Sequence, residues 1–243
     1  MVQAKRFSIK TLFDKKTITY FYERAILFDL YKKNGGTHFV AISKQVRQYF
    51  VLNAAPFHVT LLHNAIRYNT FYKPKQLTKE RTNLKLINVG SLVDNKNQSF
   101  LLDVIKELEP HISNIHLYIL GDGPNKSKLL EKSSLLDISE QISLVGKVDK
   151  VEEHLWEADV YVHSAKSEAL GLTIIEAMAA GLPVVTLDGK GNRDLIEEDK
   201  NGYMVFDSNP KIFANKIIDL WNDKEKYSRI SSYAQQFAKQ FDI

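Results

Sequence analysis

From Leu84 to Phe206 short apolar runs alternate with amphipathic stretches, and the first apolar runs each close on a glycine. Leu84–Val89 reads as a buried strand ending at Gly90, and Ile115–Leu120 as a second ending at Gly121. Gln141 to Gly146 is a third, Asp159–His163 a fourth ending at Ser164, Pro183–Leu187 a fifth and Tyr203–Phe206 a short sixth. Between them apolar residues recur at helical spacing, as in Phe100, Leu101, Val104, Ile105 and Leu108 within a predicted helix from Gln98 to His111. A helix follows Pro124, and a short one covers Val151–Trp156. Another runs from Leu172 to Ala180, stopped by Gly181 and Pro183, and helices near 211–221 and 224–239 close the chain. Strands joined through helices return in the same direction, so this alternation predicts an α/β fold. Its centre is a Rossmann-like parallel sheet with helices on both faces. Ligands of such sheets bind at the C-terminal strand ends, marked here by Gly90, Gly121, Gly146 and Ser164.

The first 80 residues read differently. Residues 18–33 form a helical pattern rich in aromatics (Tyr20, Phe21, Tyr22, Phe28 and Tyr31) and wide enough to expect burial against another domain, a partner chain or a second copy. A strand over 38–43, a helix over 44–52 and a strand over 58–62 lead to His63-Asn64, and the polar stretch 73–83 reads as a linker. One strand–helix–strand piece is too small for a doubly wound domain, which takes on the order of 100 residues or more. The expected organisation is therefore the tail of a truncated N-terminal domain at 1–72, a linker at 73–83 and a ligand-binding domain at 84–243.

Composition removes several classes. There is no cysteine, so disulfides, thiol catalysis and cysteine-ligated metals are excluded. The net charge of +4 is too mild to imply nucleic acid. No apolar run approaches membrane-spanning length and no signal-peptide core opens the chain, so the expected location is cytoplasmic. Lys5, Arg6, Lys10, Lys15 and Lys16 would suit a peripheral seat at the inner face of a membrane. The seven histidines lack metal-ligand spacing, and His163 reads as a core or strand-end histidine.

Chemistry concentrates in Glu168-Ala-Leu-Gly171-Leu172-Thr173-Ile-Ile-Glu176. Gly171 is expected to separate the two carboxylates, leaving Glu168 in a loop and Glu176 in the first turns of a helix. The N-terminus of that helix would aim backbone N–H groups at an anion, with an acid on either side to grip hydroxyls. A sugar nucleotide carries both kinds of group.

An ordered series of segments accompanies this stretch. Val89-Gly90-Ser91-Leu92-Val93 is followed by Lys96-Asn97, then Gly121-Asp122-Gly123-Pro124, then Val145-Gly146-Lys147-Val148. Ser164 to Glu176, Ala179-Ala-Gly181-Leu-Pro183, Gly191-Asn-Arg-Asp-Leu-Ile196 and Asn201-Gly202 complete it. In this order they resemble the retaining glycosyltransferases of the GT-B class, family 4, over about Phe39 to Asp207.

The resemblance implies a hexose-type sugar moved from a nucleoside diphosphate, expected to be UDP, to a lipid-linked or polysaccharide acceptor with retention. Surface glycan synthesis is the family's usual setting, and neither metal nor cofactor is implied. Glu168 and Lys96 would be the catalytic pair, Lys96 on the donor diphosphate and Glu168 on hydroxyls of the transferred sugar. Gly171, Leu172 and Thr173 would offer backbone N–H groups, Glu176 would hold the ribose, and Lys147 and Val148 would face the base. Gly121, Gly123 and Ser164 complete the expected donor site. Ser91 stands where the family usually has arginine, giving one neutral hydrogen bond in place of a bidentate charge pair. The alternative is a donor-binding half that needs a partner chain for catalysis. A dinucleotide oxidoreductase fits less well, because Gly121-x-Gly123 follows a later strand and position 126 is lysine.

Overall fold

The computed structural model describes residues 38–53, 58–74 and 82–243. The chain divides between Leu62 and His63 into two compact units. In the smaller, β1 (His38–Ala41) and β2 (His58–Leu61) pair in parallel, with α1 (Lys44–Asn53) between them in sequence. The aromatic stretch 18–33 lies outside the described residues, as does most of the expected linker.

The larger unit begins with a single-turn helix, α2 (Tyr68–Phe71), which hydrophobic periodicity did not predict. Six parallel strands follow: β3 (Leu84–Val89), β4 (Ile115–Leu120), β5 (Ile142–Gly146), β6 (Val160–His163), β7 (Val184–Leu187) and β8 (Gly202–Val205). The helices are α3 (Gln98–Leu108), α4 (Lys126–Leu135), α5 (Val151–Glu157), α6 (Leu172–Ala179), α7 (Pro210–Asn222) and α8 (Lys224–Ala238). These are the predicted segments, with ends shifted by up to three residues.

Strand order is β5-β4-β3-β6-β7-β8. The sheet therefore starts in its middle at β3, grows outward through β4 and β5, crosses back, and grows the other way from β6. The connections leaving β3 and β6 go to opposite faces, and a crevice opens between their C-terminal ends.

Alternation along the strands divides the core in two. Leu84, Leu86, Leu117, Ile119, Val160, Val162, Val185 and Leu187 face α3, α4 and α7, whose Leu101, Ile105, Leu129, Phe213 and Ile217 close that layer. Ile87, Leu120, Tyr161 and Val184 face the other way, onto Leu155 of α5, Ile174, Ile175 and Met178 of α6, and Ala234 and Ala238 of α8. Fully burying each of the larger apolar side chains contributes roughly 1.5–3 kcal/mol. Helix ends follow local chemistry. Asn209 accepts from the N–H groups of Lys211 and Ile212 ahead of Pro210 in α7, and Asp223 accepts from Lys226 at the start of α8.

The larger unit also gathers residues that the sequence reading gave to the N-terminal segment. Ile66 forms a parallel bridge to Asp242, its N–H donating to the Phe241 carbonyl at 2.8 Å, and Trp156 Nε1 donates to the Phe71 carbonyl at 2.7 Å. Ile66 and Tyr68 are buried in the second core layer. That burial explains why the compact units divide at 62/63, ten residues before the polar stretch.

Helix α6 ends as Gly181 and Pro183 suggest. Gly181, at φ 81°, donates to the Met178 carbonyl, and Leu182 donates to the Ala177 carbonyl, which together form a Schellman motif. Alanine at position 181 would have to hold a left-handed backbone, at a cost of about 1–2 kcal/mol. Gly181→Ala is expected to lower the midpoint of thermal unfolding by about 2–8 °C, read by calorimetry.

Candidate active site

Residues 90–97 leave β3 and residues 164–171 leave β6, the neighbouring strands at which the sheet order reverses. Four bonds lace these two loops. Lys166 N–H donates to the Asn95 carbonyl at 2.9 Å, and Asn95 Nδ2 donates to the Ser167 carbonyl at 2.8 Å. Ser164 Oγ donates to the Lys96 carbonyl at 2.8 Å, and Lys96 Nζ donates to Glu168 Oε2 at 2.6 Å. Residues distant in sequence thus meet as a carboxylate–ammonium pair at the mouth of the crevice. The sequence reading assigned Lys96 and Glu168 to different parts of one ligand and did not foresee their mutual bond.

A third strand end fixes the backbone of Glu168. Its N–H donates to the Gly189 carbonyl at 2.8 Å, and its carbonyl accepts from Gly191 N–H at 3.0 Å. Between those glycines Lys190 sits at φ 68°, ψ −62°, and Gly191 N–H also donates to the Gly189 carbonyl at 2.9 Å. This is a γ-turn of the rare, strained kind. Buried Asn192 holds it, with Oδ1 accepting from Gly189 N–H and Nδ2 donating to Thr186 Oγ1 and the Leu187 carbonyl. A Cβ at Gly191 would overlap the carbonyl oxygens of Glu168 and Ala169, so only glycine permits the clamp. The Gly191-Asn192 pair was visible in the sequence, but its grip on Glu168 was not.

Gly171, at φ 100°, turns the chain into α6, and no side chain caps that helix. The first N–H groups of a helix have no partner within it, so those of Leu172 and Thr173 and the positive end of the helix dipole remain available to an anion. Thr173 Oγ1 accepts from Tyr161 Oη at 2.7 Å.

On the β4 side, Gly121 N–H donates to the Gly146 carbonyl at 2.7 Å. A Cβ at Gly121 would overlap the Gly90 carbonyl, and one at Gly123 would run into Leu92. Both glycines serve close packing beneath the loop that carries exposed Ser91. Gln98 Nε2 steadies that loop by donating to the Ser91 carbonyl at 3.1 Å. Lys147 is exposed, and Val148 packs on the second core layer.

The two glutamates are opposites electrically. Burial pushes the Glu168 carboxyl up, but His163 and Lys96 outweigh it and hold it at about 2. For Glu176 burial dominates, Glu152 on α5 adds repulsion, and the carboxyl is held above its ordinary range. Among the described residues no group of three or more histidine and acidic side chains could hold a metal ion. No described helix is long and apolar enough to cross a membrane. A cavity of about 640 Å³ lined by Arg193, Ile196, Met204, Phe206 and Ile212 lies beside β8 and includes none of the expected site residues.

This arrangement has relatives. A family model described as "Glycosyl transferases group 1" matches residues 70–237. The chain belongs to the group 1 glycosyl transferase family. It is 30% identical over 173 residues to the amylovoran biosynthesis glycosyltransferase AmsD of Erwinia amylovora, covering 71% of this chain and 46% of that protein. It is 26% identical over 177 residues to a poly(ribitol-phosphate) alpha-N-acetylglucosaminyltransferase of Staphylococcus aureus, covering 72% of this chain and 36% of that one. The chain spans less than half the length of these curated relatives. Among solved structures, S. aureus TarM superposes with a TM-score of 0.79 at 22% identity, over 94% of this chain and 44% of that one. Anabaena HepE in complex with UDP superposes with a TM-score of 0.76 at 23% identity, over 85% and 60%. The fold is that of GT-B glycosyltransferases.

The opposite shifts give a test in calorimetry. Ionised Glu168 favours folding above the ordinary carboxylate pKa, and that stability is lost as pH falls through about 2. Glu168→Gln should therefore destabilise the fold at pH 7 by about 2 kcal/mol, which lowers the unfolding midpoint by roughly 4–8 °C. Ionised Glu176 opposes folding, with the full penalty above its raised pKa; the penalty fades as pH falls toward the ordinary carboxylate value and is absent below it. Glu176→Gln should raise the midpoint at pH 7, with a smaller gain at pH 4.

Proposed function

We propose that this chain acts as a retaining hexosyltransferase and carries its donor site. Its sugar comes from a nucleoside diphosphate, and its acceptor is a lipid-linked or polysaccharide glycan of the cell surface. The observation that carries this reading is the pairing of Lys96 with Glu168 beside the uncapped N-terminus of α6, at the reversal of strand order. The relatives named for amylovoran and poly(ribitol-phosphate) synthesis support the glycan setting. UDP is the favoured nucleotide, because HepE, TarM and a pneumococcal O-GlcNAc transferase were all crystallised with it. The comparisons do not favour a binding remnant that relies on a partner chain.

In this reading residues 1–62 belong to the acceptor side and residues 63–243, which pack as one unit, to the donor side. Lys96 leaves Glu168 for the diphosphate and balances the charge that grows on the leaving group. N–H groups at Gly171, Leu172 and Thr173 hold the phosphates, as helix N-termini do. Glu168, freed of Lys96, accepts from hydroxyls of the transferred sugar, while Glu176 accepts from the ribose. Lys147 and Val148 border the base, and Ser91 gives the diphosphate one neutral hydrogen bond. Gly121, Gly123 and Ser164 keep the supporting loops in register. The departing phosphate assists attack from the same face, which preserves the anomeric configuration, without a metal ion. A peripheral position at the inner face of a membrane would bring a lipid-linked acceptor within reach.

Calorimetric titration with UDP, GDP and their hexose conjugates tests the assignment. Saturable binding of the UDP series is expected, weakened about tenfold or more by Glu176→Ala or Lys96→Ala, and unchanged by a chelator. The absence of saturable binding to folded chain for either nucleotide series would overturn it.

A further inference from the structure

His163 ends β6, is 1% exposed, and takes no part in the roles above. Its Nε2 lies 3.3 Å from Glu168 Oε2 yet has no aligned hydrogen-bond partner. On the other side of the ring, Nδ1 lies 3.5 Å from Tyr161 Oη, and the two rings stack with centroids 6.1 Å apart. Burial holds the ring pKa down against the pull of Glu168, so the imidazole is neutral and carries one proton. A carboxylate can only accept, so that proton belongs on Nε2, facing Glu168.

Two donors thus converge on one oxygen. The ammonium of Lys96 is close and well aligned at 2.6 Å, while the imidazole N–H is left partly unmet. The two donors differ in freedom. Lys96 has a flexible stem and is about a quarter exposed, whereas His163 is fixed in the core between Tyr161 and Glu168. A diphosphate offers Lys96 more negative charge than a single carboxylate does. Once Lys96 turns to it, Glu168 remains in a mostly buried place without its stronger partner, and an unpaired carboxylate there is unfavourable.

We propose that His163 is a positioning residue for donor binding, its Nε2–H taking hold of the Glu168 carboxylate when the diphosphate draws Lys96 away. A small turn of the carboxylate aligns the existing contact. The carboxylate then stays ionised and fixed from behind, with its outer oxygen presented to the donor sugar. The backbone clamp of Gly189 and Gly191 holds the main chain of Glu168 meanwhile, so the exchange involves side chains alone. Glu176 and Tyr161 are the other ionisable groups nearby, and Tyr161 stays neutral because burial raises its pKa far above the physiological range.

This inference rests on the donor-site reading, and the tests separate the two. If folded wild-type chain does not bind UDP, the donor site itself is misassigned and the inference falls with it. If UDP binds, a double-mutant cycle decides. His163→Leu is expected to weaken UDP binding about tenfold in the wild-type background and by less than twofold in Glu168→Gln, where no charge is left to strand. His163→Gln, whose amide N–H reaches a similar position, should restore most of the affinity. An equal loss in both backgrounds would show a merely structural role and overturn the proposal. Nuclear magnetic resonance of 15N-histidine-labelled wild-type chain answers without relying on a leucine variant that folds. The ring should be protonated at Nε2 from pH 5 to 9, and its Hε2 signal should move downfield when UDP is added. A ring protonated at Nδ1, or an Hε2 signal that UDP binding leaves in place, would equally overturn it.

Discussion

The reversal of strand order between β3 and β6 is the constraint on which the site depends. Two adjacent strands send their connections to opposite faces, and the loops at their ends separate just enough to leave a crevice. The carboxylate–ammonium centre of the site is hung from those loops and from the next strand outward. Lys96 comes from the first loop, Glu168 and the start of α6 from the second, and the γ-turn after β7 grips Glu168 by its backbone. That centre is distributed over three strand ends separated by 20 or more residues in sequence. Its precision therefore comes from the sheet, with the loops contributing only short, bonded spans.

The two glutamates of the Glu168–Glu176 stretch show how the same side chain acquires different character over eight positions. Glu168 has donors on two sides and is held ionised despite its burial. Glu176 is half-buried, feels the repulsion of Glu152 and resists ionisation. An electrically uniform pair would have been consistent with two acids sharing one task. The contrast instead separates the two positions, one kept charged by its neighbours and one readier to accept a proton.

Much of this was legible in the sequence. The alternation of apolar runs and helical patterns located all six strands of the larger sheet, because buried parallel strands need continuous apolar runs. The break at Gly171 was readable too, since a glycine ahead of an apolar helical pattern marks a helix start. What could not be read were contacts set by tertiary proximity. Lys96 and Glu168 are 72 positions apart, and nothing local announces that they bond. His163 looked like a core histidine and is one. Its importance comes from what lies behind Glu168, which a linear pattern does not encode. The single turn at Tyr68–Phe71 escaped because four residues carry no period. The seating of Ile66 and Tyr68 in the second core layer escaped because their partners lie far along the chain.

The bridge between Ile66 and Asp242 joins the first residues of the larger unit to its last. Backbone bonds run both ways across it, from Ile66 N–H to the Phe241 carbonyl and from Ile243 N–H to the Ile66 carbonyl, and Asp242 Oδ1 accepts from Tyr68 N–H. In topological terms the unit is a ring fastened at one clasp. Loosening either side of the clasp releases the other, so position 242 is coupled to a segment 170 or more residues away, where the chain enters the larger unit. His63 lies three residues before the clasp and bonds Asp194, on the turn that follows the Glu168 clamp. A mechanical path of a few residues therefore runs from the clasp to the carboxylate at the crevice.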